Sequence, residues 1–483
     1  MSARRYDAIV IGGGVGGLVA AAFLARGGAA AVLLESRNKL GGRAETISFG
    51  DGFSAPAVTH ALLALDPRVA KELKLAKHGL RFAARDMALS VLRRDGKPLT
   101  LSRDRHATRR AIAAHSATDA ERWPHFRKRL FAAARAMRGL WWEDGPLPET
   151  RSAQAQIHDL CLQSAAAWLD AGFESDALKA PFAFDAMAGG LSPLDAGSAL
   201  VPLWQAAQEM CGLQGAAAFP AGGPTSLAAV LERAARAAGV EIRTGATVES
   251  VLVDGDAVSG VRLASGETVR AGTVLAALPR RGVLRDLAPT GAAGLAAAAA
   301  LDRDASTASA KVLLALDHDP GLPQGRIVLA ERVESLAAAH AAARAGRMPD
   351  ELAFEIVSPS AIESGYAPSG QCALSILVRP LPRGAVTREE LLKRVIAALN
   401  ACVPNAARYV VASEVLTPSD IEARYGAEAM TSDIAHMLAP WRARVGTPIR
   451  GLYLCGRDAE PVPAAGGRAG RIAASLALKE RAP

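Results

Sequence analysis

No Cys-x-x-Cys pair occurs anywhere in this 483-residue chain. The five cysteines, Cys161, Cys211, Cys372, Cys402 and Cys455, are odd in number and scattered. That spacing argues against a zinc ribbon and against a redox disulfide, and predicts isolated core thiols in a reducing compartment. Long apolar runs are missing too. The longest uncharged one, 8–25, is interrupted by glycines, so no transmembrane helix is predicted. Arg4-Arg5 ahead of it imitates a secretory leader, but Asp7 and the strand pattern that follows argue against one, which gives a cytoplasmic expectation. No nucleic-acid-binding motif is present. Nor is there a second G-x-G-x-x-G, so no separate nicotinamide site is expected. Half the residues are hydrophobic and 22% are charged, the balance of a globular chain with a sizeable core.

What is present begins at the N-terminus. Asp7-Ala-Ile-Val-Ile reads as a buried strand and leads into Gly12-Gly13-Gly14-Val15-Gly16-Gly17. An apolar helix pattern runs from Leu18 to Arg26, and Ala31-Val-Leu-Leu-Glu35 is a second buried strand ending on an acid. Gly12, Gly14 and Gly17 occupy the three fingerprint positions: tight turn, close approach of backbone to a pyrophosphate, and close helix–strand packing. Val15 and Gly16 stand at the helix start, where unpaired N–H groups and the positive end of the dipole favour phosphate. Glu35, with Ser36 beside it, lies where a ribose 2′-hydroxyl acceptor is needed. Leu40-Gly41-Gly42-Arg43 suits a loop folding over the pyrophosphate, with Arg43 as a charge-assisted donor.

The rest of the chain alternates in character. Residues 60–215 read as mostly helical, with apolar stretches such as Phe182–Leu194. Residues 68–138 carry 19 Lys/Arg against 6 Asp/Glu, more than the whole-chain excess of +8. Such a segment suits a solvated helical face or a peripheral contact with an anionic surface. Pro220–Pro224 opens a helix that Gly239 ends. Three short β-rich runs over 248–270, separated by Asp254-Gly255-Asp256 and Ser265-Gly266, predict an antiparallel meander. Strand patterns recur over 311–416 with an amphipathic helix at 389–401, and the alanine run 296–300 reads as helical. Gly451–Gly456 is a last buried strand before a C-terminal helix that opens at Gly466-Gly467. The predicted fold is α/β. A doubly wound, Rossmann-type parallel-sheet domain is assembled from 1–60, 218–290 and 446–483. A second domain, of antiparallel sheet plus helices, is inserted as 61–217 and 291–445.

On the N-terminal glycine motif with Glu35, Gly41-Gly42-Arg43, Phe219-Pro220-Ala-Gly222-Gly223, Val415-Leu-Thr-Pro-Ser-Asp420 and Thr447-Pro-Ile-Arg-Gly-Leu-Tyr-Leu-Cys-Gly456, the chain resembles the flavin-dependent phytoene desaturase superfamily over nearly its whole length. The resemblance implies FAD as cofactor. Gly12, Gly14, Gly17, Glu35 and Arg43 would hold its adenosine and pyrophosphate, Val248 would present backbone to the adenine, and Gly456 and Asp458 would lie along the ribityl-pyrophosphate. The helix opening near Gly466 and Gly467 would point at the flavin pyrimidine, where reduced flavin carries negative charge that a helix N-terminus stabilises. The implied activity is hydride abstraction from a C–H bond, in a desaturation, dehydrogenation or isomerisation, of a small-molecule substrate that is either an apolar polyene or a smaller metabolite, with electrons passed to dioxygen, a quinone or another carrier.

One loop departs from that pattern. Where the family commonly has His-Pro and glycines, this chain has Glu460-Pro461-Val462-Pro463-Ala464. Glu460 is read either as a base or substrate-cation partner, or as a solvated loop carboxylate. The same loop has no aromatic residue beside the presumed flavin, which weakens the further reading of an amine oxidase-like flavoenzyme. Its altered sequence also motivates a different class, a flavin-fold binding or assembly partner without catalysis. Lys311, first in an apolar strand, is a candidate polar group near the flavin or a structural lysine. No catalytic residue and no metal ligand is assigned.

Overall fold

A computed structural model describes residues 6–143, 145, 151–288, 307–384, 386–426, 434–464 and 466–481. The alanine run 296–300 lies outside them. Strands Ala8–Ile11 and Ala31–Leu34 are four-residue apolar runs buried at every position, as a sheet covered on both faces requires. They pair in parallel, Ile9 opposite Val32, and Ile9 also lies opposite Val274 of the strand Val274–Ala276. Leu452–Leu454 and Glu241–Arg243 complete the two edges of a five-stranded parallel sheet. Its strands therefore come from both ends of the chain and from the middle.

Helix Val15–Arg26 covers this sheet and packs against the C-terminal helix Arg468–Arg481 and against helix Pro224–Ala237. The helices touch almost backbone to backbone. A Cβ on Gly470 would stand 2.3 Å from the Gly16 carbonyl oxygen, and one on Gly16 would stand 2.1 Å from that of Cys455. The helix start is thus wedged between the last strand and the last helix. The meander is present as Val248–Asp254, Ala257–Leu263 and Thr268–Arg270.

The second sheet differs in one respect from the antiparallel sheet expected. It has seven strands, and Arg326–Leu329 pairs in parallel with Leu89–Leu92, so the sheet is mixed. Leu89–Leu92 and its neighbour Leu99–Leu101 come from the region read as mostly helical. Both are only three or four residues long, and their pattern is too short to stand out from the helices around them. The central strands Ala308–Leu316 and Cys372–Leu381 pair over most of their length. A layer of helices, including Ala117–Ala136, Asp176–Ala186 and Leu200–Ala207, stands beside this sheet.

Part of the basic excess over 68–138 is paired at the surface, Arg103 with Asp86, Arg122 with Glu174 and Arg138 with Glu209. No helix among the described residues is long and apolar enough to cross a membrane. Among them the cysteines are free and no cluster suited to a metal ion occurs.

Candidate active site

A cavity of about 570 Å³ runs from the glycine turn to the second sheet. Gly12, Gly14, Val15, Gly16, Glu35, Ser36, Gly42, Arg43, Val248, Gly456, Asp458 and Gly467 all line it. Two residues singled out in the sequence do not. Gly17 lies behind the wall, where a Cβ would stand 1.9 Å from the Gly12 carbonyl oxygen, so its role is packing. Gly466 packs on Ala64, and its carbonyl accepts the Asp66 N–H at 2.9 Å.

The wall fits an extended dinucleotide. Helix Val15–Arg26 starts at Gly14 with no side chain capping it, so its first-turn N–H groups open on the cavity. Uncapped N–H groups at the positive end of a dipole suit a pyrophosphate. Space for one is visible at Gly14, where a Cβ would meet nothing within 4 Å. The Glu35 carboxylate is fixed by two backbone donors, Gly13 N–H at 2.7 Å and Arg37 N–H at 2.8 Å. Held this way and facing the cavity, it is an acceptor for sugar hydroxyls. Ala246, Thr247 and Val248 continue the wall on that side. Arg43 lines the cavity while donating to the Gly426 carbonyl at 2.9 Å, which ties the glycine loop to the segment after Tyr425.

At the far end the lining changes. Met187, Trp204, Arg326, Glu355, Leu377 and Arg379 surround the space, joined by His60 and His340. Behind them runs a buried polar ladder that only the fold assembles. Arg326 bonds Asp185 at 2.6 Å and Glu355 at 2.5 Å. His60 Nε2 lies 3.0 Å from Glu355 Oε1, and its Nδ1 lies 2.8 Å from Lys311 Nζ. Lys311 also donates to Ser375 Oγ at 2.7 Å. Lys311 is therefore not a cavity residue. It is fully buried, and His60 stands between it and the cavity.

Charge in this ladder is set by burial against pairing. Burial pushes the Glu355 carboxyl up, but the Arg326 charge and the His60 bond outweigh it and hold the group well below the usual carboxylate range. Burial, followed by the charge of Lys311, takes His60 down to about 4, despite Glu355. Burial also draws Lys311 well below the ordinary lysine range. His436, whose Nε2 donates to the Glu460 carbonyl at 2.8 Å, is pulled to about 4 by burial.

Both histidines have folded values below the unfolded one, so acid favours the unfolded chain. Their contribution is complete above the unfolded value of about 6.5 and is lost as pH falls from there toward 4. Between pH 7 and pH 5 each is expected to cost roughly 2 kcal/mol of stability at about 1.4 kcal/mol per unit. Urea denaturation at the two pH values checks this, and equal stabilities would refute it.

Glu460 is not the solvated carboxylate that a loop position suggests. It is 2% exposed, lines the cavity, and accepts the Ala469 N–H at 2.9 Å in the first turn of the C-terminal helix. Asp185, His60, Trp204, Arg326, Glu355 and Arg379 were not singled out in the sequence. None sits in a motif, and each lies in an ordinary helix, loop or strand.

Known proteins carry the same organisation. A family model described as flavin containing amine oxidoreductase matches residues 15–461. The mouse pyridine nucleotide-disulfide oxidoreductase domain-containing protein 2 is 28% identical, covering 99% of this chain and 94% of that one. A phytoene desaturase of Cercospora nicotianae is 27% identical over 80% of this chain and 63% of its own length. Among solved structures, a putrescine oxidase redesigned for cofactor binding superposes with a TM-score of 0.68, at 17% identity and with 99% of each chain covered. An oxidoreductase from Methanosarcina mazei gives 0.66 at 17% identity, covering 98% of this chain and all of that one. At such identities the structures speak for the fold alone. With the uncapped glycine turn, the anchored Glu35 and a family match spanning most of its length, the chain belongs to the flavin containing amine oxidoreductase family and is an FAD-dependent oxidoreductase.

Proposed function

We propose that this protein takes hydride from a C–H bond of a compact substrate that carries an anionic group. The observation that carries the reading is the Arg379 guanidinium at the far end of the cavity, beside an Arg326 that Asp185 and Glu355 already pair. Arg379 stacks on the Phe184 ring at 4.3 Å and lies 3.8 Å from Asp185, so its planar head is held in place for a carboxylate or phosphate. An extended polyene needs a continuous apolar channel, and this end is polar. A protonated amine would meet the like charge of Arg379. Trp204 is the one Trp, Tyr or Phe at this end of the lining, so no aromatic cage is formed among the described residues.

FAD, when bound, supplies the hydride-accepting chemistry. The residues of the chain do the rest. The Gly14 helix start and Glu35 would hold and orient the cofactor. Arg379 anchors the substrate, so that its reacting carbon meets the cofactor in one pose. Met187 and Leu377 set an apolar patch of wall beside that carbon.

Anaerobic mixing with candidate donors tests the reading. Small carboxylates with an oxidisable C–H bond are expected to bleach the flavin at least ~100-fold faster than aliphatic amines or polyenes in micelles, a barrier difference of about 2.7 kcal/mol. Faster bleaching by an amine or a polyene would overturn it.

A further inference from the structure

We infer that the Glu460 carboxyl is a proton site coupled to reduction of the bound FAD, taking up one proton for each pair of electrons the cofactor receives. The inference rests on the cofactor reading above and deepens it.

Three observations carry it. Glu460 lines the cavity within the same short stretch as Gly456, Asp458 and Gly467. Its Oε1 occupies the Ala469 N–H, a first-turn amide of the 14-residue helix Arg468–Arg481. Its Oε2 is not the oxygen that the Ala469 N–H holds, so one oxygen of a nearly buried carboxyl is left for a proton.

The charges around it leave it unneutralised. Arg468 faces it from the C-terminal helix, but that guanidinium is shared between Asp66 at 3.4 Å and Gln208 at 3.1 Å. Arg444 faces it from helix Trp441–Val445 and stacks on Trp441 at 4.3 Å. Asp66 opposes both arginines. His436 donates to the Glu460 backbone carbonyl and is held toward its neutral form. Asp458, two residues away, faces Arg280. Among the described residues no cation comes within 4 Å of the Glu460 carboxylate. Burial raises its affinity for a proton, against Arg468 and the Ala469 N–H.

Reduction adds negative charge to the cavity, and a like charge nearby raises a carboxyl further. The balance closes. Dehydrogenation of the substrate releases two electrons and two protons. Hydride carries both electrons and one proton to the cofactor. The second proton forms the O–H bond on Glu460 and leaves to solvent when the cofactor is reoxidised.

The test is the pH dependence of the midpoint potential of the holoprotein, read against redox dyes, in wild type and Glu460→Gln. Gln keeps an oxygen for the Ala469 N–H and cannot take the proton. A two-electron couple moves about 29.6 mV per tenfold change. Wild type is expected to fall by about twice that per pH unit, two protons per electron pair, and the variant by about that amount, one proton. Identical slopes in the two proteins would overturn the inference. Where the variant fails to bind FAD, reduced-minus-oxidised infrared spectra of wild type decide. A carboxylic acid C=O band must appear on reduction, and its absence overturns the inference equally. Wild-type protein that binds no flavin at all would instead sink the cofactor reading.

Discussion

Gly14→Trp is expected to give a folded and colourless protein. Gly14 has φ −71° and ψ 176°, an extended conformation open to any residue, and nothing lies within 4 Å of where its Cβ would go. The Cβ therefore has open space on the cavity side, and an indole carried there would take the place of a pyrophosphate. FAD affinity should fall by at least ~100-fold, about 2.7 kcal/mol, with the thermal unfolding of the cofactor-free form little changed. Gly17→Ala separates the two kinds of glycine. Its methyl would meet the Gly12 carbonyl at 1.9 Å, so it should damage the fold itself rather than the cofactor alone. Flavin absorbance and circular dichroism read the two effects apart. A Gly14→Trp protein that keeps its full flavin content would remove the pyrophosphate from this turn.

Arg326→Met is expected to destabilise the protein by roughly 3–5 kcal/mol, because it strands two buried carboxylates at once. Asp185 and Glu355 are each about 5% exposed and share this guanidinium, which leaves them on its loss only Arg379 at 3.8 Å from Asp185 and His60 at 3.0 Å from Glu355 among the described side chains that pair with them. Burial opposes the Arg326 charge, and the two acids outweigh it, so the cation is held more firmly than usual. The loss should come from the uncompensated negative charge and not from the missing side-chain volume, since Met fills much of the same space. Adding Asp185→Asn and Glu355→Gln to Arg326→Met should therefore restore much of the stability. Denaturant midpoints of the single and triple variants decide it. A single variant that loses less than about 1 kcal/mol would mean that water already reaches these carboxylates.

What could be read along the chain was whatever depends on near neighbours. The strand, glycine turn, helix and acid from Asp7 to Glu35 lie within 30 residues, and each step answers to local geometry: all-buried β runs, a positive φ of 93° at Gly12, an acid at a strand end. The meander and the late strands were legible for the same reason, whereas the cysteines, read as core thiols, are buried only at Cys372 and Cys455. The mixed character of the second sheet was not, because the pairing of Arg326–Leu329 with Leu89–Leu92 joins segments more than 200 residues apart. The charge states of the site were not legible either. Nothing near Glu460 in the sequence says that its loop turns inward onto the Ala469 N–H, and the choice for Lys311 between a group near the flavin and a structural lysine is made only by its burial behind His60. The sequence determined where the glycine turn and the helix start lie, because both are built from adjacent residues. The tertiary structure decided which acids and bases are buried, and against what, because desolvation and ion pairing depend on side chains that meet only when distant segments pack.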